Sequence, residues 1–143
     1  MCPDTQAIGY EMDGALAELT RIPARAVALG IVHVLPDYMS FTEAALVEPL
    51  ACLLNGQNKV GLQQGGTVVI PGAGPIGTLH VMLARLRGAL RIVVSEPNAG
   101  RCAAALAAGA DVVICAISIP ASDTQAIGRM AKGDRVRLFV AFF

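Results

Sequence analysis

The chain has 143 residues, a single-domain length, and its eleven Lys and Arg balance its eleven Asp and Glu. No basic stripe or polybasic run appears, so nucleic-acid binding has no electrostatic support. No window of about 18 residues is free of charged and turn residues, so no membrane span is expected; the opening Met1-Cys2-Pro3-Asp4-Thr5 lacks the charged and apolar regions of a secretory signal, and the expectation is a cytoplasmic protein.

Hydrophobic residues make up 55% of the chain and charged residues 15%, against roughly 45–50% (a count that includes Gly) and 25% in ordinary globular domains. With four Phe, two Tyr and no Trp, the excess is aliphatic. Such a surface suits a piece that packs against something else, a second copy or a partner chain that covers its apolar faces. The four cysteines (Cys2, Cys52, Cys102 and Cys115) form no Cys-x-x-Cys pair. They read as reduced thiols, and no disulfide framework or four-cysteine zinc site can be built from their spacing.

In chain order, residues 1–40 read as short extended segments, with strands expected over Gly14–Pro23 and Val32–Asp37. Ser40 with Glu43 three positions on has the capping-box arrangement. A helix is expected to follow through Leu54, to be kinked or split by Pro49, and to fade at Asn55-Gly56.

From Gly65 the rhythm becomes strand, helix, strand, helix, which implies right-handed βαβ units and a parallel sheet. Strands are expected at Thr67–Ile70, Arg91–Ser95, Asp111–Ile117 and Val136–Phe142, and helices at about 75–87, 99–108 and 123–131. In the first of these helices Ile76, Leu79, Leu83 and Leu86 follow the helical period and are expected to face the sheet. Gly109 suits the position just past the second.

The most informative stretch is Thr67-Val68-Val69-Ile70-Pro71-Gly72-Ala73-Gly74-Pro75-Ile76-Gly77, followed by a helix and by Arg91-Ile92-Val93-Val94-Ser95-Glu96. A strand enters a Gly-x-Gly-x-x-Gly turn, which opens a helix whose free N–H groups and dipole favour phosphates. Gly72 permits the tight turn, Gly74 lets the backbone approach a pyrophosphate, and Gly77 lets the helix pack close to the strand. Glu96, about 20 residues beyond the last glycine, can accept from ribose hydroxyls. The candidate dinucleotide-binding residues are therefore Gly72, Gly74, Pro75, Ile76, Gly77, Ser95, Glu96 and Arg101. A carboxylate at Glu96 favours NAD, because it repels a 2′-phosphate. Ser95 and Arg101 leave room for NADP, since an arginine there can pair with a phosphate. The alternatives are a solvated strand-end acid at Glu96 and an ordinary surface charge at Arg101. His33 reads as a strand residue and His80 as a helix-surface or interface residue.

These motifs carry a resemblance. Gly14-Ala15-Leu16-Ala17-Glu18, Leu35-Pro36-Asp37, Glu43-Ala44-Ala45-Leu46-Val47-Glu48-Pro49-Leu50-Ala51 and the glycine turn follow the order seen in zinc-dependent medium-chain dehydrogenases. The chain is similar to the branch typified by sorbitol, threonine and butanediol dehydrogenases. The resemblance implies an α/β fold: a partial, doubly wound Rossmann sheet of about four strands, preceded by a remnant of a β-rich catalytic domain. It places that remnant and a linking helix at 1–55 and a truncated NAD(P)-binding domain at 56–143. It also implies hydride transfer between a secondary alcohol and a nicotinamide, assisted by zinc. Glu48 matches the acid of the family's Glu-Pro-Leu motif, which ligates the catalytic zinc directly or through water. The other members of that zinc site lie upstream of the matched region, and one β-α unit is missing after Gly109-Ala110-Asp111. The chain is thus expected to be non-catalytic by itself, with a non-catalytic dinucleotide-binding module or a partial gene product as alternatives.

Overall fold

In the computed structural model, the described residues are 6–114 and 136–138. The chain forms two compact units, Met1–Ser40 and Phe41–Phe143.

The first unit holds one short helix, α1 (Ala24–Ala28), entered from Pro23. Its pairing among the described residues is limited to an isolated bridge between Ile8 and Met12. The strands expected at Gly14–Pro23 and Val32–Asp37 do not form. A strand exists only where a neighbour takes its backbone groups, and the described part of this unit offers these segments no such ladder. His33 accordingly lies exposed in an irregular segment.

The second unit begins with α2 (Phe41–Ala44) and α3 (Val47–Lys59). The expected split occurs, but at Ala45-Leu46, ahead of Pro49. Pro49 falls in the first turn of α3, where a missing N–H leaves no helical bond unmade. The helix also runs through Asn55-Gly56, and so across residue 55, to Lys59. Packing of α3 on α4 and burial of Leu53 and Gln57 outweigh the roughly 1 kcal/mol cost of a helical glycine.

Four strands follow: β1 (Thr67–Pro71), β2 (Arg91–Ser95), β3 (Val112–Ile114) and β4 (Val136–Leu138). Among the described residues two helices alternate with them, α4 (Pro75–Leu86) and α5 (Ala99–Ala107). The sheet is wholly parallel, in the order β3-β2-β1-β4. Helix α5 stops where expected: Gly109 takes φ +111° and Ala110 N–H returns to the Ala105 carbonyl, a helix-ending turn open mainly to glycine. The expected helix at 123–131, the continuation of β3 past Ile114 and that of β4 past Leu138 lie outside the described residues.

Val68, Ile70, Ile92 and Val94 form the core with Val81, Ala84 and Ala105. Val69 and Val93, on the opposite face of the same strands, are buried too. Burial on both faces explains why β1 and β2 read as continuous β-branched runs rather than alternating ones.

The helix–sheet seam differs from the expected one. Gly77, Val81 and Ala84 are the buried positions of α4 that share one stripe, whereas Leu86 is 85% exposed and Ile76, Leu79 and Leu83 are half-buried. Close approach at Gly77 brings the small-residue stripe i, i+4, i+7 against the sheet and turns the leucines outward. His80, also buried, joins α3: Gln57 Nε2 lies 3.3 Å from its Nδ1 and donates to its carbonyl oxygen at 3.2 Å. Burial pushes the His80 imidazole below its ordinary range, which keeps it neutral beside this amide.

Arg85 ties the far ends of α4 and α5 together. Its guanidinium donates to the Ala89 and Gly109 carbonyls and pairs with Asp111 at 2.8 Å. Asp111 accepts in turn from the Ile92 N–H at 2.7 Å. Desolvation pushes the Asp111 carboxyl up, but that N–H and Arg85 more than offset it and hold the carboxyl below its usual value. The native state therefore prefers the charged form, so this stabilisation is full above the unfolded carboxylate value near 4 and is lost as pH falls through the folded one. Asp111→Asn is expected to lower the melting temperature at pH 7, with the gap from the native protein closing below about pH 4; melting curves across that range check it.

Candidate functional site

The register decides what meets at the sheet's C-terminal edge. Pro71 pairs with Ser95, so the glycine turn leaves β1 beside the point where Glu96 leaves β2. Gly72 N–H donates to the Ser95 carbonyl at 2.7 Å, and Glu96 N–H to the Ile114 carbonyl at 3.0 Å. Pro71 has no N–H to give and sits at the last ladder position, where that loss is tolerated.

The three glycines are needed for three different reasons. Gly72 has φ +89°, a conformation that side chains disfavour. Gly77 has no room: a Cβ built on it would collide with the Gly72 carbonyl oxygen, which lies against the start of α4. Gly74 has neither constraint. Its φ of −67° suits any residue, and a Cβ built on it meets no protein atom within 4 Å. It is also the N-cap of α4 and provides no side-chain cap. The space at this helix start is thus left open by the protein, with backbone N–H groups and the positive end of the dipole facing it. Pro75 follows at the first helical position, where its fixed φ suits the helix and its missing N–H costs nothing.

Glu96 directly follows β2, at the strand tip as expected, and it is not the solvated acid of the alternative. It is 2% exposed, folded under the turn. Its Oε2 accepts from the Ala73 N–H at 2.8 Å and its Oε1 from the Asn98 N–H at 2.9 Å. Arg101 Nη1 stands 3.7 Å from Oε2, a loose pair from a mostly exposed side chain. Desolvation pushes the carboxyl up, but the two N–H donors and Arg101 outweigh it and hold the carboxyl below its usual value. Ser95 is buried next to it.

Ala73 and Asn98 are the site residues that the motif did not single out. Asn98 caps α5, its side chain accepting from the Arg101 N–H at 3.0 Å, and Asn just before a helix is a readable signal. Ala73 acts through its backbone, which carries no residue-type signal.

Among the described cysteines, Cys52 is free. Cys102 Sγ lies 3.2 Å from the Glu96 carbonyl oxygen.

Glu48 lies away from this cluster in sequence, exposed in the first turn of α3. Cys52 Sγ donates to its Oε1 at 3.2 Å, one turn along the helix. That hydrogen bond and the carboxylate's charge push the Cys52 thiol up, away from the thiolate that metals bind. Among the described residues no three His, Cys, Asp or Glu side chains converge. A protein zinc site needs at least three ligands, so the described residues do not by themselves fit one.

A parallel sheet with a glycine turn at its C-terminal edge, opening a helix beside an acid on the next strand, defines a Rossmann-type nucleotide-binding unit. No family model matches the chain. It is 37% identical over 105 residues to the sorbitol dehydrogenase of Bombyx mori, covering 72% of this chain and 30% of that protein. It is likewise 37% identical over 116 residues to the L-threonine 3-dehydrogenase of Pyrococcus furiosus, covering 80% and 31%. The structure superposes on a zinc-binding dehydrogenase from Sinorhizobium meliloti bound to NADP with a TM-score of 0.71, at 35% identity over 80% of this chain and 32% of that one. The chain belongs to the zinc-dependent medium-chain alcohol and polyol dehydrogenases. It spans about a third of the length of the relatives it matches.

The glycine geometry separates two substitutions. Gly77→Ala is expected to lower the melting temperature sharply, because the new methyl meets backbone that cannot yield. Gly74→Ala is expected to lower it far less, by the modest cost of alanine at an N-cap. Paired thermal melts read both.

Proposed function

We propose that the chain holds the cofactor of an NAD(P)-dependent, zinc-type alcohol or polyol dehydrogenase, which moves hydride between a secondary alcohol and a nicotinamide. In this reading, residues 56–143 belong to the cofactor domain, and 1–55 to the catalytic domain with its linking helix. The observation that carries it is Gly74: neither its backbone angles nor its protein neighbours require glycine there, so the open space at the α4 start suits a group from outside the chain.

A bound nicotinamide dinucleotide would supply the hydride chemistry. The chain's own residues bind and orient it. Gly72 and Gly77 shape the turn, Gly74 admits the diphosphate, and the α4 N-terminus faces its charge. Glu96 disfavours a second phosphate on the adenosine ribose, so NADH is preferred to NADPH, and Arg101 moderates that preference. Glu48 is the candidate for the zinc site among the described residues, and no step is assigned to a metal here.

A second reading, a dinucleotide-binding module without catalysis, is supported by the absence of three converging metal ligands among the described residues. Calorimetric titration with NADH, and turnover assays with zinc, NAD and a panel of polyols, check both readings. The expected outcome is NADH binding that Gly74→Val abolishes, with no zinc-dependent turnover. Turnover would remove the second reading, and a native protein that does not bind NADH would remove both.

A further inference from the structure

We propose that Glu96 is a positioning residue for the diphosphate site, clamping the peptide that joins Gly72 to Ala73, and so contributes to dinucleotide binding even where no ribose hydroxyl reaches it. The inference rests on the dinucleotide-binding reading above and extends the role of Glu96 beyond ribose recognition.

The geometry is that of one peptide held from both sides. In a trans peptide the carbonyl and the N–H point in opposite directions. The Gly72 carbonyl is pressed against the bare Cα of Gly77, and the Ala73 N–H donates to Glu96 Oε2 at 2.8 Å. Gly77 therefore blocks one side of this peptide and Glu96 anchors the other. Gly72 alone would leave the peptide free to rotate, since its φ of +89° is one of several basins open to glycine. The next carbonyl along, that of Ala73, is held by Thr78 Oγ1 at 3.3 Å, and Gly74 then starts the helix. The path from Gly72 to the open space at Gly74 thus runs through a peptide whose orientation depends on the Glu96 carboxylate. Its other oxygen, on the Asn98 N–H, ties that anchor to the start of α5.

Each carboxylate oxygen can accept more than one hydrogen bond, so a ribose hydroxyl can add to Glu96 without displacing Ala73. The two roles separate by choice of ligand. ADP and its 2′,3′-dideoxy analogue carry the same diphosphate, and only ADP has ribose hydroxyls. Calorimetric titrations of native protein and Glu96→Gln with both compounds are the test, alongside the amide NMR resonance of Ala73. Gln offers one acceptor oxygen where the carboxylate offers two, and its NH2 opposes one of the N–H donors. With the clamp in place, Glu96→Gln weakens both compounds by a similar factor, about ten-fold, and moves the Ala73 amide resonance upfield. If ADP is weakened while the dideoxy analogue binds as it does to native protein, the inference is overturned and the dinucleotide-binding reading stands. If native protein binds neither compound, both fall. Should Glu96→Gln not fold, Glu96→Asp keeps the charge, withdraws it from Ala73 by one methylene, and is read by the same comparison.

Discussion

Everything at the C-terminal edge of the sheet depends on the approach of Gly77 to the Gly72 carbonyl. That contact brings α4 down onto β1 with no side chain between them. It determines which stripe of α4 meets the sheet, directs the helix N-terminus at the open space beside Gly74, and holds one side of the peptide that Glu96 holds from the other. A methyl group at residue 77 would disturb all three together. The glycine turn is thus a packing device first, and its binding geometry follows from the packing.

The parallel register adds the second constraint. Because Pro71 pairs with Ser95, residues far apart in sequence leave their strands side by side, and Gly72 N–H continues the ladder onto Ser95. A one-residue slip of either strand would take Ile70 or Ile92 out of the cluster they form with Val68 and Val94 and put it on the face of Val69 and Val93. Burial of Val68, Ile70, Ile92 and Val94 in one cluster prevents it. The hydrophobic core therefore sets the distance between the glycine turn and the acid, and the site inherits its geometry from the core.

Belonging to a zinc dehydrogenase family and holding the described chemistry of one are different matters for this chain. At the glycine turn the tight bend, the close helix and the acid are all in place, and a Cβ at Gly74 would meet no other residue. The metal side has Glu48, exposed and taken up by a thiol one turn away. Beside that carboxylate the Cys52 thiol is pushed up and keeps its proton, so it is not in the thiolate form that metals bind.

Much of this was legible in the chain itself, for a physical reason. Glycine spacing, β-branched runs and the stop at Gly109 are local backbone constraints, and each acts on the residues that carry it. The sequence by itself therefore determined the α/β order, the place of the turn and the family. Tertiary structure decided what depends on neighbours. The strands expected at Gly14–Pro23 and Val32–Asp37 found no ladder among the described residues. Helix α3 outran its glycine because α4 covers it. The leucines of α4 turned outward because the closest approach, not the greatest hydrophobicity, chose its buried face. Glu96 turns its carboxylate onto two backbone N–H groups, where the alternative was a solvated strand-end acid. Backbone donors such as that of Ala73 have no letter in the sequence, and only the folded chain shows where they point.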